Sequence, residues 1–285
     1  MNKPVYLDNH ATTPVDERVL NAMLPYFRAK FGNAASGTHS YGWEADSGVA
    51  VARKRIAELA GASPDEIVFT SGATESDNLA LKGTVPPGGH LVTVATEHKA
   101  VLDTAQRLEE SGRTVTVLSP GRDGRVDPDE LRGAIRGETV LVSVMFANNE
   151  IGTIQPVSEI GRICRERKVL FHCDAVQAFG KMPVNVNECG IDLMSVSAHK
   201  MYGPKGVGAL YTRHGLRLAP AQRPHGRLGK RDPLEAAHSL LGRGSGLQDA
   251  VIGLDAVGGK RRQRSGANRH MNEDRLESLH RIFDS

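Results

Sequence analysis

The sequence predicts an α/β protein with a mostly parallel sheet, and three observations carry this prediction. Short runs rich in Val, Ile and Leu alternate with segments whose apolar residues recur at helical spacing. The runs are apolar throughout, as in strands that are buried on both faces. Helical segments separate most of the runs, as in the crossover connections between parallel strands. We therefore expect a sheet whose two faces are covered by helices.

The predicted elements follow one another along the chain. Helical spacing predicts a helix over residues 19–27 and another that contains Val49, Ala52, Ile56 and Leu59. The predicted strands are residues 67–69, 91–94, 115–118, 140–144, 169–172 and 207–211, with one further strand before Lys200. Residues 97–110, 128–135 and 157–167 are predicted to be helical.

Composition and charge narrow the class of protein. The chain has 285 residues, of which 39% are hydrophobic and 24% charged, which is typical of a globular protein. The net charge of +3 gives no reason to expect nucleic acid or a membrane surface as a partner. The basic run at residues 258–264 resembles a linker, and a solvated helix start explains it better than nucleic-acid binding.

The N-terminus and the cysteines predict the compartment. The first residues lack the apolar run of a signal peptide, and no stretch reaches the roughly 20 apolar residues that span a bilayer. Cys164, Cys173 and Cys189 form an odd set without C-x-x-C spacing, which argues against a disulfide framework and a zinc site. These features predict a cytoplasmic protein.

Polar residues that directly follow the predicted strands are the candidates for a site, because open α/β sheets bind ligands at the carboxyl ends of their strands. Residues 71–76 form a Gly-containing turn into a helix, which suits a phosphate, and Ala73 and Thr74 lie in it. Any strand-to-helix turn could look the same. His98 follows the next strand and could bind, stack or transfer protons. The alternative is a helix capped by Thr96, with His98 incidental.

Three further strand ends carry candidates. Asn148 and Asn149 are either turn formers or ligand contacts. Asp174, in an Asp-x-x-Gln pattern with Gln177, follows a buried strand and needs a cation in order to stay ionised. A protonated cofactor ring nitrogen would supply it, whereas a metal would need further ligands at a suitable spacing. Lys200 could act as an amine nucleophile, although most lysines are solvated surface groups.

The candidates together indicate a cofactor that none of them indicates alone. A phosphate seat, a histidine, an asparagine, an aspartate and a lysine at successive strand ends match the parts of pyridoxal phosphate, namely its phosphate, ring face, phenolic oxygen, ring nitrogen and aldehyde. The sequence therefore predicts a pyridoxal-phosphate site, with no metal, in which Lys200 binds the cofactor covalently.

Several stretches resemble the cysteine desulfurases, in the class V aminotransferase branch of fold-type I pyridoxal-phosphate enzymes. The matching stretches are residues 6–8, 11–14, 69–78, 96–102, 148–152 and 197–206, and together they run almost continuously to about Tyr211. The resemblance implies a mixed, mostly parallel sheet of seven strands. It also implies an N-terminal arm at residues 1–15 that packs with the small domain, a cofactor-binding large domain at 16–255 and the remnant of that small domain at 256–285.

The resemblance implies a role for each matched residue. Lys200 would anchor the cofactor and move the substrate α-proton, and His98 would stack on the ring and move protons. Asp174 would hold the ring nitrogen. Asn149 and Gln177 would contact the phenolic oxygen, and the phosphate would be held by Ala73, Thr74, Ser197 and His199. The implied reaction converts L-cysteine to L-alanine and passes the sulfur to an acceptor or scaffold protein. The sulfur would serve iron–sulfur cluster or thio-cofactor assembly. The resemblance also implies that the enzyme is a homodimer.

Two departures from the family pattern limit these expectations. Family members are longer, and we expect the segment with the persulfide cysteine and the substrate-binding arginine to be missing, since none of the three cysteines matches the persulfide position. The pattern also breaks after Arg217, and residues 223–242 reflect either a compensated frameshift or local divergence. A related lyase or aminotransferase, such as a selenocysteine lyase, and an inactive cofactor-binding fragment therefore stay open.

Overall fold

The computed structural model describes residues 4–219, and within them the chain forms six α-helices and seven strands. The helices are α1 (Glu17–Arg28), α2 (Ser40–Ala60), α3 (Ala73–Thr84), α4 (Lys99–Glu110), α5 (Pro128–Ala134) and α6 (Val157–Arg167). The strands are β1 (Ile67–Thr70), β2 (His90–Val94), β3 (Thr114–Leu118), β4 (Thr139–Ser143), β5 (Leu170–Asp174), β6 (Leu193–Ser197) and β7 (Gly208–Thr212).

The seven strands form one sheet in the order β1-β7-β6-β5-β4-β2-β3. The pairs from β6 through β5, β4 and β2 to β3 are parallel. Strand β7 runs antiparallel to both of its neighbours, β1 and β6. The prediction of an α/β fold with a mixed, mostly parallel sheet of seven strands is confirmed.

Both faces of the sheet are covered because consecutive strand residues alternate between two cores. Leu193 packs into the core that contains residues of α3 and α4. Met194 packs into the core on the other face, with residues of α2, α5 and α6. Strand β3 lies at the edge of the sheet, so the expectation of burial on both faces is wrong there, and Val117 is 50% exposed.

The carboxyl ends of the parallel strands meet at one edge of the sheet, and the N-terminal arm crosses this edge. Thr13 N–H donates to the His199 carbonyl (2.9 Å), and Asp16 N–H donates to the Tyr202 carbonyl (3.0 Å), just before α1 begins. The arm therefore lies on the turn that carries Lys200. Its predicted contact with a small domain stays a prediction.

The remaining predictions about domain boundaries and linkers concern the C-terminal part of the sequence. The boundary between 255 and 256, the remnant at 256–285, the divergent segment at 223–242 and the basic run at 258–264 lie outside the described residues. In the part that is described, no helix combines the length and the apolar character needed to cross a membrane.

Candidate active site

A cavity of about 700 Å³ lies at the carboxyl ends of the strands and brings together the nine residues to which the family resemblance gives a role at the cofactor. These residues end or follow β1, β2, β4, β5 and β6, and they are Ala73, Thr74, His98, Asn149, Asp174, Gln177, Ser197, His199 and Lys200. Their convergence follows from the parallel topology, which places successive strand ends beside one another.

The end of the cavity next to α3 has the chemistry of an anion site. Gly72 is the residue before the helix, with φ 149° and ψ 179°, a conformation that is open almost only to glycine. Gly72 has no side chain that could cap α3. It therefore leaves the first N–H groups of the helix available to a bound anion. The hydroxyls of Thr74 and Ser197 and the His199 ring line the same cavity. This donor set fits a phosphate group.

His98 is the N-cap of helix α4, a role that one of the two sequence interpretations gave to Thr96. Its ring Nδ1 accepts a hydrogen bond from the Ala100 N–H (3.1 Å) and thereby caps α4. The alternative with Thr96 as the cap and a helix from residue 97 is wrong, because the helix begins two residues later, at Lys99. With Nδ1 acting as an acceptor, the neutral ring carries its proton on Nε2. Nε2 is thus the ring atom that is free of the cap.

Of the two asparagines, Asn148 forms the turn and Asn149 lines the cavity. The Asn148 side chain donates to the Thr96 carbonyl (2.8 Å) and accepts from the N–H groups of Glu150 and Ile151 (2.8 and 2.9 Å), so it shapes the turn. Asn149 lines the cavity. A turn-forming residue therefore presents its neighbour to the site.

Asp174 ends β5 and is 5% exposed. Burial raises its pKa, whereas the hydrogen bond from the Val176 N–H (3.0 Å) and the positive charge of Lys200 lower it. A buried carboxylate whose remaining face is turned to a cavity fits a cationic ring nitrogen.

Lys200 lies in the 3-10 turn Ala198–Lys200 that follows β6. Its ammonium group donates to the backbone carbonyls of His10 and Ala11, the second at 2.8 Å. Burial lowers the pKa of Lys200, and the charges of Asp174 and Asp8 partly oppose this shift. A lowered pKa increases the fraction of free amine, which is the nucleophilic form.

Gln177 lies in the cavity wall with its amide already hydrogen-bonded. It donates to the His10 carbonyl (2.9 Å), and its oxygen accepts from Lys181 (2.8 Å). Gln177 therefore shares an arm carbonyl with Lys200. Its predicted contact with the cofactor oxygen stays a prediction.

The N-terminal arm supplies contacts that the sequence reasoning missed. Asp8, His10 and Ala11 line the cavity, and Thr12 Oγ1 is 3.1 Å from His199 Nδ1. The family-like stretches at residues 6–8 and 11–14 contain Asp8, Ala11 and Thr12, but no site role was attached to them, and His10 lies in neither stretch. Among the described residues, no group of three His, Cys, Asp or Glu side chains could hold a metal ion.

Comparisons with known proteins agree with this geometry. Residues 5–230 match the family "Aminotransferase class-V". The cysteine desulfurase IscS of Anaeromyxobacter dehalogenans is 60% identical over 222 residues, which cover 76% of this chain and 55% of that protein. The IscS of a Neisseria meningitidis strain is 54% identical over 259 residues, with 88% and 64% covered.

A solved structure, SspA in complex with cysteine, superposes with a TM-score of 0.76 at 38% identity and covers 87% of this chain and 72% of that one. The chain spans about half the length of the Anaeromyxobacter relative. On the family match and these identities, the chain belongs to the class-V aminotransferase family of pyridoxal-phosphate enzymes, in its cysteine desulfurase branch.

Proposed function

We propose that this chain is the cofactor-binding part of a cysteine desulfurase that converts L-cysteine to L-alanine and passes the sulfur to an acceptor. The observation that carries the proposal is the cavity in which the Lys200 amine, with its lowered pKa, lies near the buried carboxylate of Asp174. The related SspA binds cysteine in its solved structure, which supports cysteine as the substrate.

When bound, pyridoxal phosphate supplies an aldehyde that captures amines and a conjugated ring that takes up electrons. The α3 N-terminus would hold the phosphate together with Thr74, Ser197 and His199. Asp174 would keep the ring nitrogen protonated. Asn149 and Gln177 would contact the phenolic oxygen.

Two residues of the site would move protons. Lys200 would transfer the substrate α-proton at its Nζ, because burial increases the fraction of its free amine. His98 would exchange protons at Nε2, because Nδ1 is engaged by the Ala100 N–H. The cap fixes the ring's tautomer, so His98 enters the reaction with a defined donor atom.

The sulfur acceptor must come from elsewhere, because all three cysteines of this sequence are buried within the described residues. Burial raises the pKa of the Cys164 thiol to about 12 and raises that of Cys173. A thiol that stays protonated is a poor nucleophile. The proposal therefore includes an acceptor thiol from another segment or protein. We also propose, from the family resemblance and the cysteine content, that the chain acts as a homodimer in the cytoplasm.

The burial of the cysteines also favours a second candidate, a chain that binds the cofactor without completing sulfur transfer on its own. The two candidates share the cofactor site and differ only in the reaction with cysteine. They can therefore be tested in two steps.

The first step is to mix the 285-residue chain with pyridoxal phosphate and record the visible absorption of the lysine-bound cofactor. We expect a band that borohydride abolishes, and we expect Lys200→Ala to lack it. Lys205→Ala is the matched control, since Lys205 is an exposed lysine that lines the same cavity, and this variant should keep the band. A band that survives Lys200→Ala would refute the assignment.

The second step is to add L-cysteine to the loaded chain, with and without a small thiol as acceptor. Release of alanine with sulfide only when the thiol is present supports the desulfurase proposal. A spectral change without alanine supports the second candidate.

A further inference from the structure

Among the described residues, a fully buried carboxyl group that interacts with Asp174 has no hydrogen-bond partner. Asp77 is in α3 and is 0% exposed. Neither of its carboxyl oxygens has a hydrogen-bond partner among residues 4–219. The Ser195 hydroxyl is close enough to lower the pKa of Asp77, but it does not meet hydrogen-bond geometry. An ionised carboxylate in such a place carries a large desolvation cost.

His172 lies beside Asp77 but does not supply a countercharge. His172 Nε2 is 3.6 Å from Asp77 Oδ1, which is longer than the roughly 2.7–2.9 Å of a charge-assisted hydrogen bond. Both ring nitrogens of His172 are already within hydrogen-bond distance of hydroxyls, Nδ1 of Ser143 (2.9 Å) and Nε2 of Ser195 (3.0 Å). Burial lowers the pKa of His172 to about 3, so the imidazole is neutral at neutral pH.

Asp174 has the stabilising groups that Asp77 lacks. Burial raises the pKa of Asp174 too, but Asp174 accepts from the Val176 N–H, and this hydrogen bond and the positive charge of Lys200 oppose the rise. The charge of Asp174 in turn raises the pKa of Asp77, in addition to the larger effect of burial. Two interacting buried carboxyls in unequal surroundings separate into one acid and one carboxylate.

We propose that Asp77 and Asp174 hold a single proton between them, that this proton is on Asp77, and that Asp174 therefore faces the cavity as the carboxylate. Asp77 is thus a positioning residue, which acts through Asp174. If Asp77 were ionised, its charge would favour protonation of Asp174, and Asp174 could no longer pair with a cation. The proposal concerns the cofactor-free chain and holds whether or not the chain is a desulfurase.

Glu97 is the other buried carboxyl beside this pair. Burial and the charge of Asp174 raise its pKa, its Oε1 accepts from the Met145 N–H, and its Oε2 has no hydrogen-bond partner among the described residues. Any test of Asp77 must therefore separate aspartate signals from glutamate signals.

Infrared spectroscopy of the cofactor-free, full-length chain makes this separation. We would label only the aspartate side-chain carboxyl carbons with a heavy isotope, because the label then shifts the Asp77 signal and leaves that of Glu97 in place. At neutral pH, the wild type minus Asp77→Asn spectrum should show one isotope-sensitive C=O stretch of a protonated acid. The matched control, Asp174→Asn, should instead lose carboxylate bands.

Two outcomes would overturn the proposal. One is that Asp77→Asn loses carboxylate bands and no acid band. The other is that the His172 ring of the unmutated chain shows nitrogen chemical shifts of an imidazolium at neutral pH, which would reveal an Asp77–His172 ion pair. The second measurement needs no variant, so it decides the question even if Asp77→Asn does not fold.

Discussion

Gly208 of β7 lies directly against Gly72, the residue that precedes α3. A Cβ at position 208 would be 2.6 Å from the Gly72 Cα and 2.6 Å from the Val196 carbonyl oxygen. Gly72 itself has a backbone conformation that is almost restricted to glycine. The antiparallel strand β7 therefore sets the position of the turn that would receive the cofactor phosphate.

From this contact we predict that Gly208→Ala weakens phosphate binding. The added methyl group must push the turn away from β7, which costs about 1–3 kcal/mol of stability and misplaces the α3 N-terminus. Titration with pyridoxal phosphate should give a higher Kd, and denaturant unfolding should give a lower midpoint.

Gly133→Ala is the control for this substitution, because nothing lies within 4 Å of a Cβ at that position of α5. It should stabilise the helix by about 0.5–1 kcal/mol and leave the Kd unchanged. Wild-type affinity in Gly208→Ala would contradict the positioning role of β7.

The site could be predicted from the sequence wherever a side chain directly follows an apolar strand. Asp174 and Lys200 were found in this way, because parallel strands end at one edge of the sheet whatever their order. The order itself could not be deduced from the apolar runs, so the exposure of β3 was missed.

Contacts made by backbone atoms could not be predicted from the sequence, for a different reason. The His10 carbonyl that accepts from Lys200 is 190 positions away in the chain, and no side-chain type indicates it. Asp77 was missed because a carboxylate inside a helix is normally expected on the solvated face. His98 was found, but its cap to Ala100 depends on ring geometry that a sequence does not contain.

The arm contact predicts a specific effect of Thr13→Val. Thr13 Oγ1 donates to the His199 carbonyl (3.0 Å) and accepts from the Tyr202 N–H (2.8 Å), and Tyr202 has a positive φ of 63°. Valine leaves the Tyr202 N–H without its partner, which costs about 1–3 kcal/mol, whereas the His199 carbonyl still accepts from the Thr13 N–H. Faster hydrogen exchange at the Tyr202 amide should report this loss.

Thr13→Ser is the matched control, since it keeps the hydroxyl and should keep the slow exchange. Equal exchange rates in Thr13→Val and the wild type would show that the arm does not hold the Lys200 turn.

Glu97 predicts how stability depends on pH. Because burial raises the pKa of Glu97 above its unfolded value of about 4.3, its contribution to stability is present in full below that value. The contribution is lost as the pH rises through the folded pKa. The stability of Glu97→Gln relative to the wild type should therefore increase with pH, by at most about 1.4 kcal/mol per pH unit.

Denaturant unfolding of both proteins across a pH series measures this difference. Glu109→Gln, at an exposed position of helix α4, is the matched control for the removal of a glutamate. A difference for Glu97→Gln that stays constant from acid to neutral pH would contradict the raised pKa of Glu97.

His98 combines a helix cap with a cavity-facing ring, and two substitutions separate these roles. Asparagine is a good N-cap, so His98→Asn should keep the stability of α4, whereas His98→Ala should lose about 0.5–2 kcal/mol. Both variants lack the imidazole Nε2 and should lose the spectral change that cysteine produces in the loaded chain. Thermal unfolding and absorption spectra measure the two effects on the same samples. If His98→Asn retained the response to cysteine, the histidine would serve only as the cap of α4, and proton transfer would fall to Lys200 alone.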